Sequence, residues 1–204
     1  MTQAIFKSTA QALHVSYLVL SMPPRQGAPF RNMLIRLLED LDEPTNQQQA
    51  WLEQLRGVAT GSTINFAGLS PDEIRAQCSM ITAAVRDRLP EPERNVIWAR
   101  YAYQLERAAG VRGLAGYYRS LVNVDNDMAM MALVWRRYAG RERADQDFSF
   151  RQIAAECGGS KSTYERANKI LTGHLRALET RADETLTASF RAHGVIEDES
   201  LQTA

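Results

Sequence analysis

Apolar residues recur three and four positions apart along most of this chain, the spacing that lines one face of an α-helix. From Phe6 to Leu20 an Ala-rich apolar run predicts a first helix. It stops at Pro23-Pro24, where the missing N–H and the steric limit on the preceding residue end helical geometry. From Phe30, the residues Met33, Leu34, Leu37, Leu38 and Leu41 predict a second helix laid on a core and ending near Glu43-Pro44. "TNQQQAWLEQLRG" predicts a short third helix closed by Gly57. In "GVATGSTINFAG" Gly, Thr and β-branched residues accumulate, so it reads as a loop or short strand, and as a hinge between two parts of the chain.

Ser70-Pro71-Asp72-Glu73 is a helix start: Ser70 caps, Pro71 suits the first turn, and Glu73 completes a capping box. The helix it opens carries Ile74, Gln77, Cys78, Ile81 and Val85 and stops at Leu89-Pro90. Pro90 and Pro92 begin another, with Val96, Ile97, Tyr101, Ala102 and Leu105 as its apolar stripe and Trp98 widening it. "AAGVRG" is expected to break this helix, "LAGYYRSL" to form a short one, and "NVDND" to cap a further helix from Met128 to about Arg137. A Trp-x-Arg-Tyr-Ala cassette occurs twice, as "VIWARYA" from Val96 and "LVWRRYA" from Leu133. Downstream of the cassettes the two stretches diverge at once, so no tandem repeat is read. Each copy is a helix whose Trp and Tyr fill core space while the Arg heads reach water.

Only the second copy is succeeded by "DFSFRQIAAECGGSKSTYERANKILTGHLRALE", which has the grammar of a helix-turn-helix. A helix from Ser149 to Cys157 buries Ile153 and Cys157 and places Ala154 where a small side chain lets a second helix cross closely. Gly158-Gly159 makes the turn. Ser160 or Ser162 caps the second helix, with Glu165 completing a capping box on Ser162. Tyr164, Ala167, Ile170 and Leu171 are expected to point into the core. The other face shows Lys161, Ser162, Thr163, Arg166 and Lys169, donors of the kind that reach phosphates and base edges from a helix in a major groove.

Composition bears on this reading through charge. The 204 residues carry 24 Lys and Arg against 24 Asp and Glu, so any affinity for nucleic acid has to come from local clustering. Between Arg136 and Arg181 basic residues outnumber acidic ones, which predicts a basic patch within the neutral whole, whereas the stretch from Asp183 to the end is acidic and reads as a solvated, frayed tail. Cys78 and Cys157 show no CxxC pairing, as expected of reduced thiols in a cytoplasmic protein. "HVSYLVLSM" is too short to span a bilayer and lacks a secretion leader, so no membrane association is expected. His14, His174 and His193 have no metal-ligand spacing, and no P-loop, GxSxG or HExxH occurs. Neither an enzyme nor a metal or cofactor site is expected.

The run "LVWRRYAG…FSFRQIAAECGGSKSTYERANKIL" resembles region 4 of bacterial sigma factors and the phage transcription regulators that share its design. The resemblance covers about a third of the chain. It implies that Ser149 opens the first helix, Ile153-Ala154 are its packing pair, Gly158 is the turn, Ser160 begins the second helix and Thr163 lies inside it. Gly159 stands where that pattern has an apolar residue, and Tyr164 where it has a small aliphatic one. With no polymerase-clamp motif in the chain, the likeness is to a phage-type or accessory regulator such as a late-gene antiterminator. The expected fold is all-α: an N-terminal helical part over 1–68, a helical domain over 69–190 with the helix-turn-helix at about 149–178, and an acidic flexible tail over 191–204. The expected function is sequence-specific binding of double-stranded DNA in transcription regulation. Arg151, Ser160, Lys161, Ser162, Thr163, Glu165, Arg166 and Lys169 are the DNA-binding candidates, and RNA polymerase and a second copy of the chain are the candidate protein partners. The alternatives are a DNA-packaging or replication accessory of the small-terminase kind, and a helical interaction module that does not bind DNA.

Overall fold

The structure, a computed structural model, describes residues 4–22, 66, 69–122 and 124–197. The chain is all-α. Its described residues form eight helices: α1 Thr9–Ser21, α2 Pro71–Arg88, α3 Glu91–Tyr101, α4 Gln104–Tyr118, α5 Asp127–Tyr138, α6 Arg141–Gln146, α7 Phe150–Cys157 and α8 Lys161–Ala192. The helices expected over 30–41 and 45–57, and the glycine- and threonine-rich hinge apart from Phe66, lie outside the described residues. The chain divides into two compact units, residues 1–81 with 189–204, and residues 82–188.

In the first unit, Ser8 caps α1 through its hydroxyl, which accepts from the Gln11 N–H at 3.3 Å, and the Gln11 carboxamide accepts from the Lys7 N–H at 2.8 Å. The helix ends as its following prolines require, with Met22 extended. Arg75 then donates to the carbonyls of Val19 and Met22 at 3.0 and 3.1 Å, satisfying acceptors that a helix end leaves open. The Ser70–Glu73 box forms as expected: the Glu73 carboxylate accepts from the Ser70 N–H at 2.7 Å, and the Ser70 hydroxyl accepts from the Glu73 N–H at 3.3 Å. Of the acidic C-terminal stretch, residues up to Glu197 are described. They return to Phe6, whose N–H donates to the Val195 carbonyl and whose carbonyl accepts from the Glu197 N–H, both at 3.1 Å.

The second unit holds the candidate site. Its core joins Val96, Leu114, Tyr118, Met130, Leu133, Ile153, Tyr164, Leu171 and Leu175, drawn from α3, α4, α5, α7 and α8. The segment "AAGVRG" does not break a helix. It lies inside α4, where Gly110 meets α3 so closely that a Cβ would fall 2.6 Å from the Asn95 carbonyl oxygen and 2.8 Å from the Ala99 nitrogen. The glycine is there for close approach of two backbones and not for a turn. The break falls earlier, at Ala102-Tyr103. Leu105 therefore belongs to α4 and not to the α3 stripe, and it is 85% exposed.

The two cassettes occupy equivalent places. Each ends its helix, with Ala102 and Ala139 extended and donating their N–H groups back to the carbonyls of Trp98 and Trp135. Each indole lies under a guanidinium, Arg94 at 5.2 Å over Trp98 and Arg107 at 5.1 Å over Trp135. Their arginines do not simply reach water. Arg100 of the first copy and Arg137 of the second both bind Glu179 of α8, at 3.2 and 3.1 Å, and the Tyr138 hydroxyl donates to the same carboxylate at 3.0 Å. Burial first, and the neighbouring Glu179 charge second, push the Tyr138 phenol well above its ordinary value and keep it a donor.

The Glu179 side chain is only 12% exposed. Replacing it by Gln keeps an acceptor but leaves two guanidiniums without their counter-charge. Glu179→Gln is expected to lower unfolding free energy by about 1–3 kcal/mol in urea titration, against under about 1 kcal/mol for Arg100→Gln, whose side chain is half-exposed. At the helix crossing, Gly110→Ala is expected to cost about 1–3 kcal/mol despite the better helix propensity of Ala. Gly173→Ala in α8, where a Cβ meets nothing within 4 Å, should stabilise by roughly 0.5–1 kcal/mol in the same assay.

Candidate nucleic-acid interface

The stretch singled out by the sequence folds as helix α7, a three-residue turn and helix α8. Ser149 caps α7, its hydroxyl accepting from the Gln152 N–H at 3.2 Å, and the Arg136 guanidinium stacks 4.4 Å over Phe150 at the helix start. Ile153 is buried, and Ala154 and Cys157 pack partly buried against the same core. Gly158 ends the helix at φ 80°, ψ 177°, a backbone region open almost only to glycine, and Gly159 follows at φ 85°. Two side chains hold the turn. Asn126 caps α5 with its carboxamide oxygen, accepting from the Met128 and Ala129 N–H groups, while its amide donates to the Cys157 carbonyl at 3.3 Å. The buried Tyr164 donates its hydroxyl to the Gly158 carbonyl at 2.7 Å.

At the start of α8 the cap is Ser160, whose hydroxyl accepts from the Thr163 N–H at 3.2 Å and lies 2.9 Å from the hydroxyls of Ser162 and Thr163. The alternative cap, a box between Ser162 and Glu165, does not form. Glu165 instead pairs with Lys161 one turn back at 3.2 Å. Lys161, Ser162, Arg166 and Lys169 are exposed and Thr163 half-exposed, as expected, with Tyr164, Ala167 and Leu171 buried behind them. Arg166 donates Nε–H to the Ser162 carbonyl at 3.3 Å, one turn back along the helix. Arg151 is exposed on α7, and no hydrogen bond or ion pair among the described residues joins it to the α8 group.

Two expectations are corrected. The basic excess between Arg136 and Arg181 is not one open patch. Arg136 is bound to Asp145 at 2.7 Å and to the Phe148 and Ala144 carbonyls, Arg137 to Glu179, and Arg181 to Glu93 at 3.0 Å. Ile170 does not face the core but is 48% exposed, because the buried stripe of α8 runs through Ala167 and Leu171. With Leu121, Val122, Thr163, Arg166 and Ala167 it lines an open groove of about 400 Å³. Leu121 and Val122 come from the segment after α4, more than forty residues away, so no local pattern marks them as neighbours of α8.

No protein-family model matches the chain, and no curated protein does. Both cysteines are free thiols, Cys78 buried and Cys157 half-buried. Among the described residues no cluster of His, Cys, Asp and Glu is arranged to hold a metal ion, and no helix is long and apolar enough to cross a membrane.

The turn is a place where the backbone alone sets the residue. A Cβ on Gly158 meets nothing within 4 Å, so Gly158→Ala is sterically free yet forced into an unfavourable φ. It is expected to cost about 1–3 kcal/mol by thermal denaturation. A cost near zero would show that Gly158 is not held at its positive φ.

Proposed function

We propose that this protein is a sequence-specific binder of double-stranded DNA that acts in transcription regulation, with the first turns of α8 entering the major groove. The observation that carries the reading is the face of α8. Directly after a glycine turn fixed by Asn126 and Tyr164, a helix N-terminus presents Ser162, Thr163, Arg166 and Lys169 outward while Tyr164, Ala167 and Leu171 anchor the opposite side. The positive end of the helix dipole and its free N–H groups favour a phosphate there. Arg166, exposed and with Nε–H engaged, suits the two acceptors on a guanine edge. Lys169, three residues further on, suits the phosphate backbone. Arg151 lies on the preceding helix, the one that crosses the backbone in helix-turn-helix docking. The likeness to sigma region 4 and late-gene antiterminators supports the regulatory setting, with RNA polymerase as the machine acted on and a paired second copy as the form that would read two half-sites.

Enrichment from a random duplex library supplies the site, and two substitutions then separate the roles. Arg166→Ala is expected to weaken the selected site by about 1–3 kcal/mol and to relax preference at one base pair. Lys169→Ala should weaken all duplexes alike and lower the slope of log affinity against log salt by about one. If no sequence enriches, or if both variants bind as the unaltered protein does, the reading fails.

A further inference from the structure

We infer that the groove beside Arg166 receives thymine methyl groups, so that Ile170 and Leu121 select thymine next to the base pair that Arg166 reads. The inference rests on the DNA-binding reading above and adds a second element of specificity to it. Thr163 and Arg166 belong at once to the polar face of α8 and to the wall of the groove, so whatever meets that face also meets the groove. Most of the groove lining is apolar, and Leu121 and Ile170 are each about half-exposed, at 49% and 48%. A face aimed at DNA that included two bare aliphatic side chains would strip water from any base-edge donor or acceptor they covered, with no hydrogen bond in return, unless the DNA offered an apolar group in the same place. In the major groove that group is the C5-methyl of thymine, the one alkyl group among the base-edge donors and acceptors there. Arg166 supplies the charge complement at the edge of the groove, for the phosphates and the guanine acceptors that flank such a methyl.

The spacing agrees. Arg166 and Ile170 are four residues apart on α8, a rise of about 6 Å, and stacked base pairs are about 3.4 Å apart, so the methyl falls within about two base pairs of the guanine. Leu121 approaches from outside α8, which lets the groove grip a methyl from two sides where a helix alone would touch it from one. Neither side chain is part of the buried core, so both can be shortened without loss of the fold.

The test uses the full chain and the enriched duplex, with each dT replaced singly by dU, which deletes the methyl and changes no hydrogen-bonding group. Replacement at one or two positions within two base pairs of the Arg166-dependent guanine is expected to weaken binding roughly fourfold, the transfer value of a methyl group. The same replacement should make no difference to Ile170→Ala or to Leu121→Ala. Thermal melts of both variants check that they are folded. If dU is tolerated everywhere while Arg166→Ala still relaxes base preference, the thymine assignment is overturned, the DNA reading stands and the groove is left to a protein partner. If sensitivity to the methyl persists undiminished in both variants, the groove is not its reader. If no sequence enriches, this inference falls together with the reading on which it rests.

Discussion

Glu179 binds Arg100 from the end of α3, Arg137 from the end of α5 and the hydroxyl of Tyr138, and through these contacts it sets how α8 lies in its unit. The need for such a fixing point arises from the helix itself. Its buried stripe runs Tyr164, Ala167, Leu171, Leu175, Leu178, Ala182 and Leu186, a leucine-rich pattern that looks much the same after a shift of one turn. Apolar burial is non-directional, so this stripe holds the helix down without fixing its register. A carboxylate with three donors converging on it has one solution. A slip by a turn would leave two guanidiniums and a carboxylate unpaired in a partly dry place, where unpaired charge is costly. The best-attested use of such buried polar groups is to select register, and here it accounts for the repeated cassette: two helix ends of the same design deliver an arginine each to one acceptor.

The charge distribution is a consequence of that arrangement. The chain is neutral as a whole, and the arginines around the core are paired within it: Arg100 and Arg137 share the one carboxylate of Glu179, Arg136 binds Asp145 and the Phe148 carbonyl, and Arg181 binds Glu93. These cations are structural, and their fields are partly cancelled by partners at hydrogen-bonding distance. Those that stay outward on the first turns of α8 beside the groove are few, Arg166 and Lys169, but they sit next to a helix N-terminus whose peptide dipoles add positive potential of their own. A count of basic residues along the sequence therefore overstates the patch, while the part that survives is better placed than the count suggests.

The features legible in the sequence were those whose physics is local. Caps at Ser70, Asn126, Ser149 and Ser160 need only a hydroxyl or carboxamide and an N–H two or three residues on, and the turn at Gly158 needs only a residue that tolerates positive φ. The features that were not legible depend on another part of the chain. Gly110 reads as a breaker until α3 is laid against it. Ile170 has core spacing from Ala167 and Leu171, yet it falls one side of the stripe and is left open beside Leu121. Arg136 and Arg137 read as surface charges until Asp145 and Glu179 are brought to them by the fold. In each case the sequence carries the residue type but not the neighbour that decides its role.

Gly159 and Tyr164 are neighbours across the turn, and each bears on what the other can be. A Cβ at position 159 would lie 3.5 to 3.8 Å from the hydroxyl and ring of Tyr164, in ordinary contact with the phenol, but at a φ of 85° that side chains rarely adopt. The glycine leaves room for the phenol, whose hydroxyl reaches the Gly158 carbonyl at 2.7 Å, so the turn receives a hydrogen bond from the helix it precedes. Hydrogen bonds are directional where apolar contacts are not. This one ties the last turn of α7 to the first turn of α8, and with Asn126 gripping the Cys157 carbonyl from the other side the start of α8 is held at both flanks of the turn. The base-reading role proposed for this face would require it to be presented with little freedom, and these contacts restrict it at the residues immediately before Ser162, Thr163 and Arg166.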